Sequence, residues 1–212
     1  STLSYSTPSA PGWLHRALRH RSFVIGAVLS ALLILAALLS FVWTPWSPYE
    51  MDLANKLASP SGTHWLGTDA FGRDVASLLL VGARNSILVG VIAVGIGLTI
   101  GTALGLLAAA KRGWVEELIM RLADFTFAFP AILSAIMMTA VFGAGIVNSI
   151  IAIGIFNIPT FARVTRASAN AVWSREYILA SRACGKGSWR ITLEHVLPNI
   201  LAPLLVQATF IA

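Results

Sequence analysis

Residues 175–199 read REYILASRACGKGSWRITLEHVLPN, a charged stretch between two long apolar runs. Two short helical faces fit within it. The first face comprises Tyr177, Ala180, Ala183 and Cys184, and the second comprises Trp189, Leu193, Val196 and Leu197. Gly185-Lys186-Gly187 separates the two helices, Ser188 is a candidate N-cap, and Pro198 marks where the next segment begins or bends. The stretch therefore predicts a polar, interrupted connection between apolar segments.

The composition around this stretch is that of a membrane protein. Of 212 residues, 57% are hydrophobic and 11% are charged, against about 25% charged in soluble domains. Uncharged runs predict spans at about 23–43, 86–110, 119–141, 147–167 and 198–212. The predicted fold is an all-α, polytopic transmembrane helical bundle. Because the sequence stops inside the fifth run, we expect that span to be truncated or incompletely represented.

The first run could also be a cleaved signal peptide. The run from Phe23 to Trp43 is longer than the roughly 7–15 residues of a signal-peptide core, which favours a membrane span. Residues 1–22 before it, rich in Ser, Thr and Pro and then basic, predict a flexible tail. Trp43, Trp46 and Tyr49 after it lie where an interfacial aromatic belt is expected.

The charged residues predict an orientation. Six basic residues stand against two acidic ones from Arg163 to Glu194, whereas four acidic residues stand against three basic ones in the loop at 44–85. The positive-inside rule therefore places the N-terminus and the loop at 168–197 in the cytoplasm and the loop at 44–85 outside. The net charge of +6 is spread beside apolar spans and forms no continuous patch, which argues against nucleic-acid binding.

Several local features predict packing or pairing. A ridge of small residues every fourth position predicts a close helix–helix contact, with a pore-lining segment as the alternative; it comprises Ala93, Gly97, Gly101, Gly105 and Ala109.

Arg121 is expected to pair with Glu117 and with Asp124. Pro130 and Pro159 predict kinks within spans. Cys184 is the only cysteine in the sequence, which excludes an intrachain disulfide, and it is expected to be a small packed residue. The four histidines lack the spacing of metal ligands.

Residues 64–74, HWLGTDAFGRD, predict a capped helix start in which Asp69 and Arg73 pair at i, i+4. A direct contact with a transported solute is the alternative for this motif. One apolar face continues from it and predicts a helix that lies on the membrane surface; the face comprises Phe71, Val75, Leu78, Leu79 and Gly82.

Two motifs together resemble a known family. Ala180-Ser181-x-x-x-Gly185, followed by His195-Val196-Leu197-Pro198, resembles the EAA loop of membrane subunits of binding-protein-dependent ABC importers. The usual pattern begins Glu-Ala-Ala and has Ile two residues before Leu-Pro, where this chain has Leu179-Ala180-Ser181 and His195. The second motif is similar to the loop after the first span in the dipeptide, oligopeptide and nickel permease branch. Its matching residues are His64, Leu66, Gly67, Thr68, Asp69, Gly72, Arg73 and Asp74.

The resemblance implies a type I importer permease fold with a cytoplasmic coupling helix. A helix at Glu176–Cys184 would enter a groove of an ATPase subunit, with Gly185 as its positive-φ terminator and Arg182 on the rim. The residues that the resemblance assigns to ATPase contact are Glu176, Tyr177, Ala180, Ser181, Arg182, Ala183, Gly185, His195, Leu197 and Pro198.

The resemblance also implies partners. These are a second permease subunit, two ABC ATPases that bind ATP and Mg, and an extracytoplasmic substrate-binding protein, all at a bacterial inner membrane. The chain contains no G-x-x-x-x-G-K-[ST] phosphate loop and is expected to be non-catalytic, with no cofactor or metal of its own. Di- or oligopeptides are the expected solute, with nickel chelates, glutathione or sugars as alternatives.

Two other functional classes are alternatives to an importer subunit. An ion-coupled secondary carrier calls for ionisable groups or broken helices at mid-membrane, and a membrane-embedded enzyme calls for convergent polar groups within spans. The sequence displays neither pattern. Adjacent genes for Walker-motif ATPases would favour the importer over both.

Overall fold

A computed structural model describes residues 20–211, so most of the predicted tail at 1–22 lies outside the described residues. The helices are α1 (Arg21–Val42), α2 (Val75–Lys111), α3 (Gly113–Ala128), α4 (Ala131–Phe142), α5 (Ile146–Trp173), α6 (Glu176–Ala183), α7 (Ser188–Ile191) and α8 (Leu197–Ile211). A 3₁₀ turn covers Leu53–Asn55, and a π-helical turn, Thr192–Val196, joins α7 to α8. The contacts divide the chain into two units after Asn85, within α2.

The first unit contains α1, the loop at 43–74 and the first turns of α2. Helix α1 begins at Arg21, two residues before the predicted span, and carries no charge after that residue. Nearly all of its side chains are exposed, as expected for a helix that faces lipid. Its backbone becomes extended at Trp43, immediately before the Thr44-Pro45 break.

The predicted surface helix is wrong. Val75, Leu78, Leu79 and Gly82 belong to the first turns of α2, which runs without interruption from the loop to Lys111, whereas Phe71 lies in the turn before it. The physical reason is the absence of a strong breaker in this range. An isolated glycine such as Gly82 costs a helix only about 1 kcal/mol and does not end it.

The second unit is built around α5, which is longer than the predicted span at 147–167. It extends to Trp173, so the first residues of the predicted loop at 168–197 are helical. One face of α5 is buried, including Phe161 and Ala169. These side chains share an apolar core with Ile178 of α6, Ile191 of α7 and Ile200 of α8.

The predicted third span is broken. Helices α3 and α4 meet at Phe129-Pro130 with a bend of 79°, so the range 119–141 is not one continuous helix. Proline lacks a backbone N–H and forces the preceding residue into an extended conformation, which Phe129 adopts. Pro159, in contrast, is accommodated within α5. Among the described residues, four helical segments are long and apolar enough to cross a membrane, or five if α3 and α4 form one bent span.

The π-helical turn changes the face that α7 and α8 bury. Ile191, Thr192 and Val196 are buried, whereas Trp189 and Leu193 of the predicted face are exposed. A π turn holds more residues than an α turn and so rotates the side chains that follow. One further expectation was wrong, because Gly187 occupies the N-cap position expected for Ser188. The segment expected to begin or bend at Pro198 is α8, which begins at Leu197 and has Pro198 in its first turn.

Candidate functional site

The coupling segment implied by the resemblance forms a short helix, α6, that follows α5 after only Ser174 and Arg175. It ends in a Schellman motif, in which Gly185 N–H donates to Arg182 C=O (2.9 Å) and Lys186 N–H donates to Ser181 C=O (3.2 Å). Gly185 has a φ of +81°, which confirms the predicted positive φ. The expectation of a packed Cys184 is wrong, because this free thiol is exposed at the C-cap.

One side chain anchors α6 in the core while most of the others face outward. Ile178 is fully buried in the apolar core of the second unit, to which α6 belongs. Ser181 is half-buried, and its hydroxyl donates to Tyr177 C=O (2.9 Å). The exposed residues are Glu176, Tyr177, Leu179, Ala180, Arg182 and Ala183. Helix α6 therefore exposes most of its side chains, including the large Tyr177 and Leu179, and is anchored by the buried Ile178.

Two contacts hold α6 on either side. The Arg182 guanidinium lies 5.3 Å from the ring centroid of Trp173, a buried residue at the end of α5. On the other side, the Tyr177 ring meets the His195 ring edge-on at 6.2 Å, and Asn199 Nδ2 donates to the Tyr177 hydroxyl (3.4 Å). Helix α6 thus contacts both α5 and the π-helical turn, and Arg182 packs on the chain itself although it was assigned only to a rim.

A charged network extends along the π-helical turn. Lys186 Nζ donates to Glu194 Oε2 (2.7 Å) and lies 3.3 Å from His195 Nε2, while Arg190 Nε donates to Glu194 Oε1 (2.5 Å). The structure therefore brings His195 next to α6, and Leu197 and Pro198 lie in the following turn at the start of α8.

The ridge of small residues faces α5. A Cβ atom on Gly97 would lie 2.5 Å from Asn157 Cβ, and one on Gly105 would lie 2.5 Å from Thr165 Cβ. At Gly101 it would lie 2.6 Å from both Ile158 O and Phe161 Cβ. Ala93 and Ala109 at the two ends of the ridge are buried. The partner helix, which the sequence left open, is therefore α5 of the same chain.

Ion pairs connect α3 to α5. Arg166 Nη1 lies 2.6 Å from Glu116 Oε1, and Arg163 pairs with Asp124 while its guanidinium stacks 4.3 Å from the Phe127 centroid. The predicted Glu117–Arg121 pair is confirmed at 2.6 Å. The predicted Arg121–Asp124 pair is wrong, because the Asp124 carboxylate is instead engaged by Arg163 of the neighbouring helix.

Sequence reasoning missed the contacts made between helices. Arg182 contacts Trp173 across the end of α5, and Arg166 pairs with Glu116, which lies 50 residues away in sequence. The available signal for the second pair was the presence of opposite charges at the ends of two apolar runs. Nothing in the sequence distinguished Trp173 from an interfacial tryptophan.

Exchanging the charges of one α3–α5 pair provides a test of its contribution. We expect Glu116→Arg and Arg166→Glu each to lower the thermal stability of the protein in detergent, because each places like charges together. The combined variant restores opposite charges and should recover part of the loss, with a coupling of about 0.5–3 kcal/mol. Lys111→Glu is a control, since no ion pair involves Lys111 among the described residues. Additive losses in the combined variant would contradict a direct pair.

The motif at 64–74 holds the first loop together from within. The Thr68 hydroxyl accepts from Ala58 N–H (2.8 Å) and donates to Asn55 C=O. Gly67 and Gly72 both have a φ of +76°, and a Cβ on either would overlap a backbone carbonyl, that of Ala58 for Gly67 and that of Asp52 for Gly72. The two glycines are therefore required by close backbone approach.

Two carboxylates of this motif organise the turn before α2. Asp69 Oδ1 accepts from the backbone N–H groups of Phe71 (2.8 Å) and Arg73 (2.9 Å), and the predicted Asp69–Arg73 ion pair is confirmed at 2.7 Å. Asp74 is 2% exposed and accepts from Ser77 N–H and Ser77 Oγ, both at 2.8 Å. Its other oxygen lies 3.0 Å from His64 Nδ1. Leu66 alone among the predicted motif residues points outward, with 52% exposure.

The pKa of Asp74 reflects these bonds. Burial acts to raise the pKa of the carboxyl group, but the hydrogen bonds from Ser77 and His64 outweigh it and leave the pKa lowered from 3.8. The carboxylate is thus stabilised as an anion in the folded loop. Trp46 joins the same network, because its backbone N–H donates to Ser77 Oγ (2.9 Å) and its indole donates to Thr63 C=O (2.9 Å). The motif therefore has a structural role within the loop.

Comparison with known proteins gives two family matches. Residues 101–211 match the family described as binding-protein-dependent transport system inner membrane component. Residues 13–60 match the N-terminal transmembrane domain of oligopeptide transport permease C. The first match covers the end of α2 and all of α3 to α8, and the second covers α1 and the start of the first loop.

Relatives with assigned names align along most of the chain. A dipeptide transport system permease protein of Alkalihalophilus pseudofirmus is 40% identical over 191 residues, which cover 90% of this chain and 63% of that protein. A glutathione transport system permease protein of Pectobacterium atrosepticum is 38% identical, over 96% of this chain and 67% of that protein. A di/tripeptide transport system permease protein of Pseudomonas aeruginosa is 39% identical, over 98% and 70%.

The chain thus spans less than two thirds of the length of the first of these relatives and 70% of the third. The matches include both motifs singled out in the sequence, residues 64–74 and 175–199, within alignments that cover 96–98% of the chain. On these grounds, the chain belongs to the family of binding-protein-dependent transport system inner membrane components.

Proposed function

We propose that this chain is a membrane subunit of an ATP-driven importer of di- or oligopeptides, and that α6 couples it to an ATPase subunit. The observation that carries the proposal is the form of α6, a short exposed helix fixed to the transmembrane bundle. Relatives named for dipeptides and for di- and tripeptides support the solute class. Glutathione, itself a tripeptide, is the second candidate, because a permease named for it is 38% identical to this chain.

The contacts of α6 suit a coupling role. Ile178 is buried in the core, Arg182 contacts Trp173 of α5, and Tyr177 contacts His195 of the π-helical turn. A force on α6 would therefore act on α5 and on α7–α8 together. Closure of two ATPase subunits on binding ATP would move these helices as a packed group, the kind of rigid-body motion that changes which side of a membrane a pathway faces.

The partners follow from this role. A second permease subunit would complete the pathway, two ATPase subunits would bind ATP and Mg, and an extracytoplasmic binding protein would deliver the solute. On this proposal the chain itself is non-catalytic and binds no cofactor. Transport by the reconstituted complex tests it: uptake of a labelled dipeptide should require the binding protein and hydrolysable ATP. Uptake by this chain alone, driven by an ion gradient, would contradict it in favour of a secondary carrier.

A competition experiment separates the two solute classes. Excess glutathione is expected to leave dipeptide uptake largely intact if the binding protein selects di- and oligopeptides. Binding measured on the isolated binding protein provides the control, because it reports selectivity without the membrane subunits. A binding protein that retains only glutathione, a metal chelate or a sugar would contradict the peptide assignment.

The proposal also includes an orientation, with α6 in the cytoplasm and the first loop outside. The native Cys184 is an exposed thiol beside α6, and Ser61 is exposed in the first loop. We expect a membrane-impermeant maleimide added to intact spheroplasts to label Ser61→Cys in a Cys184→Ser background. It should label Cys184 of the wild-type protein only after the membrane is permeabilised. The opposite pattern would reverse the orientation.

A further inference from the structure

The end of α1 and the first loop are connected by contacts that fix their relative height. The Arg84 guanidinium of α2 lies 5.0 Å from the centroid of the Phe41 ring. Trp43 follows Phe41 by two residues, and the centroid of its ring lies 6.0 Å from that of the Trp65 ring. All four residues belong to the first unit. Trp65, in the middle of the loop, therefore lies level with the end of α1.

The depth of that level follows first from the length of α1. Its 22 residues carry no charge after Arg21. At 1.5 Å per residue the helix is about 33 Å long, which matches the roughly 30 Å of a bilayer's hydrocarbon core. Trp43, the residue that immediately follows α1, is therefore placed at the boundary between hydrocarbon and headgroups.

Arg84 gives an independent marker of the same boundary. Its charge has no ion-pair partner among the described residues and is instead stacked on Phe41. A guanidinium is costly in the hydrocarbon core and is found where it can reach the headgroups. The level of Phe41 and Arg84 is thus already close to the interface, and that of Trp43 and Trp65 lies further out, because Trp43 follows the last residue of α1.

Trp65 and Leu66 are exposed at this level, by 61% and 52%. They cannot withdraw easily, because the next two residues are fixed. Gly67 is buried with a φ of +76° and its N–H donates to His64 C=O (3.0 Å), and Thr68 is bonded to the segment at 55–58. The loop therefore holds two large apolar side chains outward at the height where α1 leaves the hydrocarbon.

We propose that Trp65 and Leu66, together with Trp43, anchor the first loop to the surface of the lipid bilayer. The partner is the lipid itself, because the surface continues directly from α1, whose exposed apolar side chains face lipid along its length. An indole ring is suited to this level, since its apolar body and its N–H donor favour opposite sides of the interface. The anchor holds the hydrogen-bonded frame of the loop, including Thr68 and Asp74, at a fixed height on the membrane. This inference is independent of the solute.

Spin labelling of the assembled transporter in lipid nanodiscs tests the anchor. A nitroxide is attached to Leu66→Cys in a Cys184→Ser background, which leaves both tryptophans in place. The control is Gly62→Cys, in the same loop, at an exposed position where a Cβ would meet nothing within 4 Å. We expect collisions with oxygen, which concentrates in lipid, to exceed those with a water-soluble nickel chelate at position 66, and the reverse at position 62.

Two results would overturn the anchor. Equal access of the nickel chelate to positions 66 and 62 would show that the patch faces water. Protection of position 66 from both oxygen and nickel would show that protein covers it, whether the binding protein or the second permease subunit. Intrinsic fluorescence gives a second measurement without cysteine: Trp65→Phe should remove part of the quenching by brominated lipids, as Trp43→Phe should. Unchanged quenching in Trp65→Phe would also contradict the proposal.

Discussion

Gly101→Leu is expected to prevent α2 from packing on α5 and to leave little folded protein. Even the first atom of a side chain would lie 2.6 Å from Ile158 O and from Phe161 Cβ, both parts of a buried helix surface. Overpacking of this kind typically costs about 1–3 kcal/mol when the structure can adjust. A leucine at the centre of a glycine ridge offers no such adjustment without separating the helices. The measurement is the monodisperse fraction after detergent extraction, with its thermal midpoint.

Gly95→Leu in the same helix is the matched control. A Cβ atom on Gly95 would meet nothing within 4 Å, so the substitution gives the same change in composition without the clash. We expect it to be neutral or slightly stabilising, because leucine favours a helix over glycine by about 1 kcal/mol. Gly101→Ala should fall between the two. Equal behaviour of Gly101→Leu and Gly95→Leu would show that the ridge does not set the distance between α2 and α5.

Gly185→Val and Ala180→Trp are expected to abolish transport while the protein still inserts and folds. Gly185 has a φ of +81°, a region that a β-branched residue adopts only with strain, so valine should disrupt the end of α6. Ala180 is exposed, so tryptophan there fits this chain and obstructs only what approaches α6 from outside. Capture of the ATPase subunits by the tagged permease, together with solute uptake, measures both effects.

Gly187→Val provides the control for the first variant. Gly187 lies in the same connection, with a Cβ position equally free of neighbours, but its φ of −68° suits any residue. We expect normal capture and uptake. If Gly185→Val and Ala180→Trp also retain both, α6 is an ordinary loop helix and the coupling role is wrong.

Arg182→Ala should have a smaller effect than either. The stacking of its guanidinium on Trp173 is solvent-exposed on one side, and such a contact contributes about 0.5–1 kcal/mol. We expect reduced transport per ATP hydrolysed with normal capture, since the contact holds α6 on α5 and does not form the docking surface. Arg182→Lys, which keeps the cation, should restore part of the loss. Loss of ATPase capture in Arg182→Ala would place this residue in the interface instead.

The sequence was sufficient where a property depends on the nearest residues or on one repeating period. Uncharged runs identified α1, α2 and α5 as helices long and apolar enough to cross a membrane, because charged side chains are costly in lipid. The four-residue spacing of Gly97, Gly101 and Gly105 identified a close helix contact. Gly185 was identified as a positive-φ terminator, and Asp69 and Arg73 as a pair, since each depends only on neighbours within one or two turns.

Expectations that depended on distant segments were wrong or incomplete. Asp124 was assigned to Arg121 of its own helix, but Arg163 of α5 competes for it and is better placed. The sequence placed Trp189 and Leu193 on the buried face, whereas Ile191 and Thr192 are the buried residues. A π turn leaves no recognisable pattern in the sequence, so this shift could not be predicted. The break at Pro130 was expected only as a kink, and the start of α2 was expected to lie on the membrane surface and lead into the second span.

The sequence by itself determined that this is a helical membrane protein and which short helix connects α5 to α7. Only the tertiary structure decided that the glycine ridge meets α5, that Arg182 rests on Trp173, and that Trp65 reaches the level of Trp43. The physical reason is the range of the interactions. Helix formation and insertion depend on local periodicity and apolarity, whereas partners in packing and ion pairing are selected by shape and charge among segments far apart in the chain.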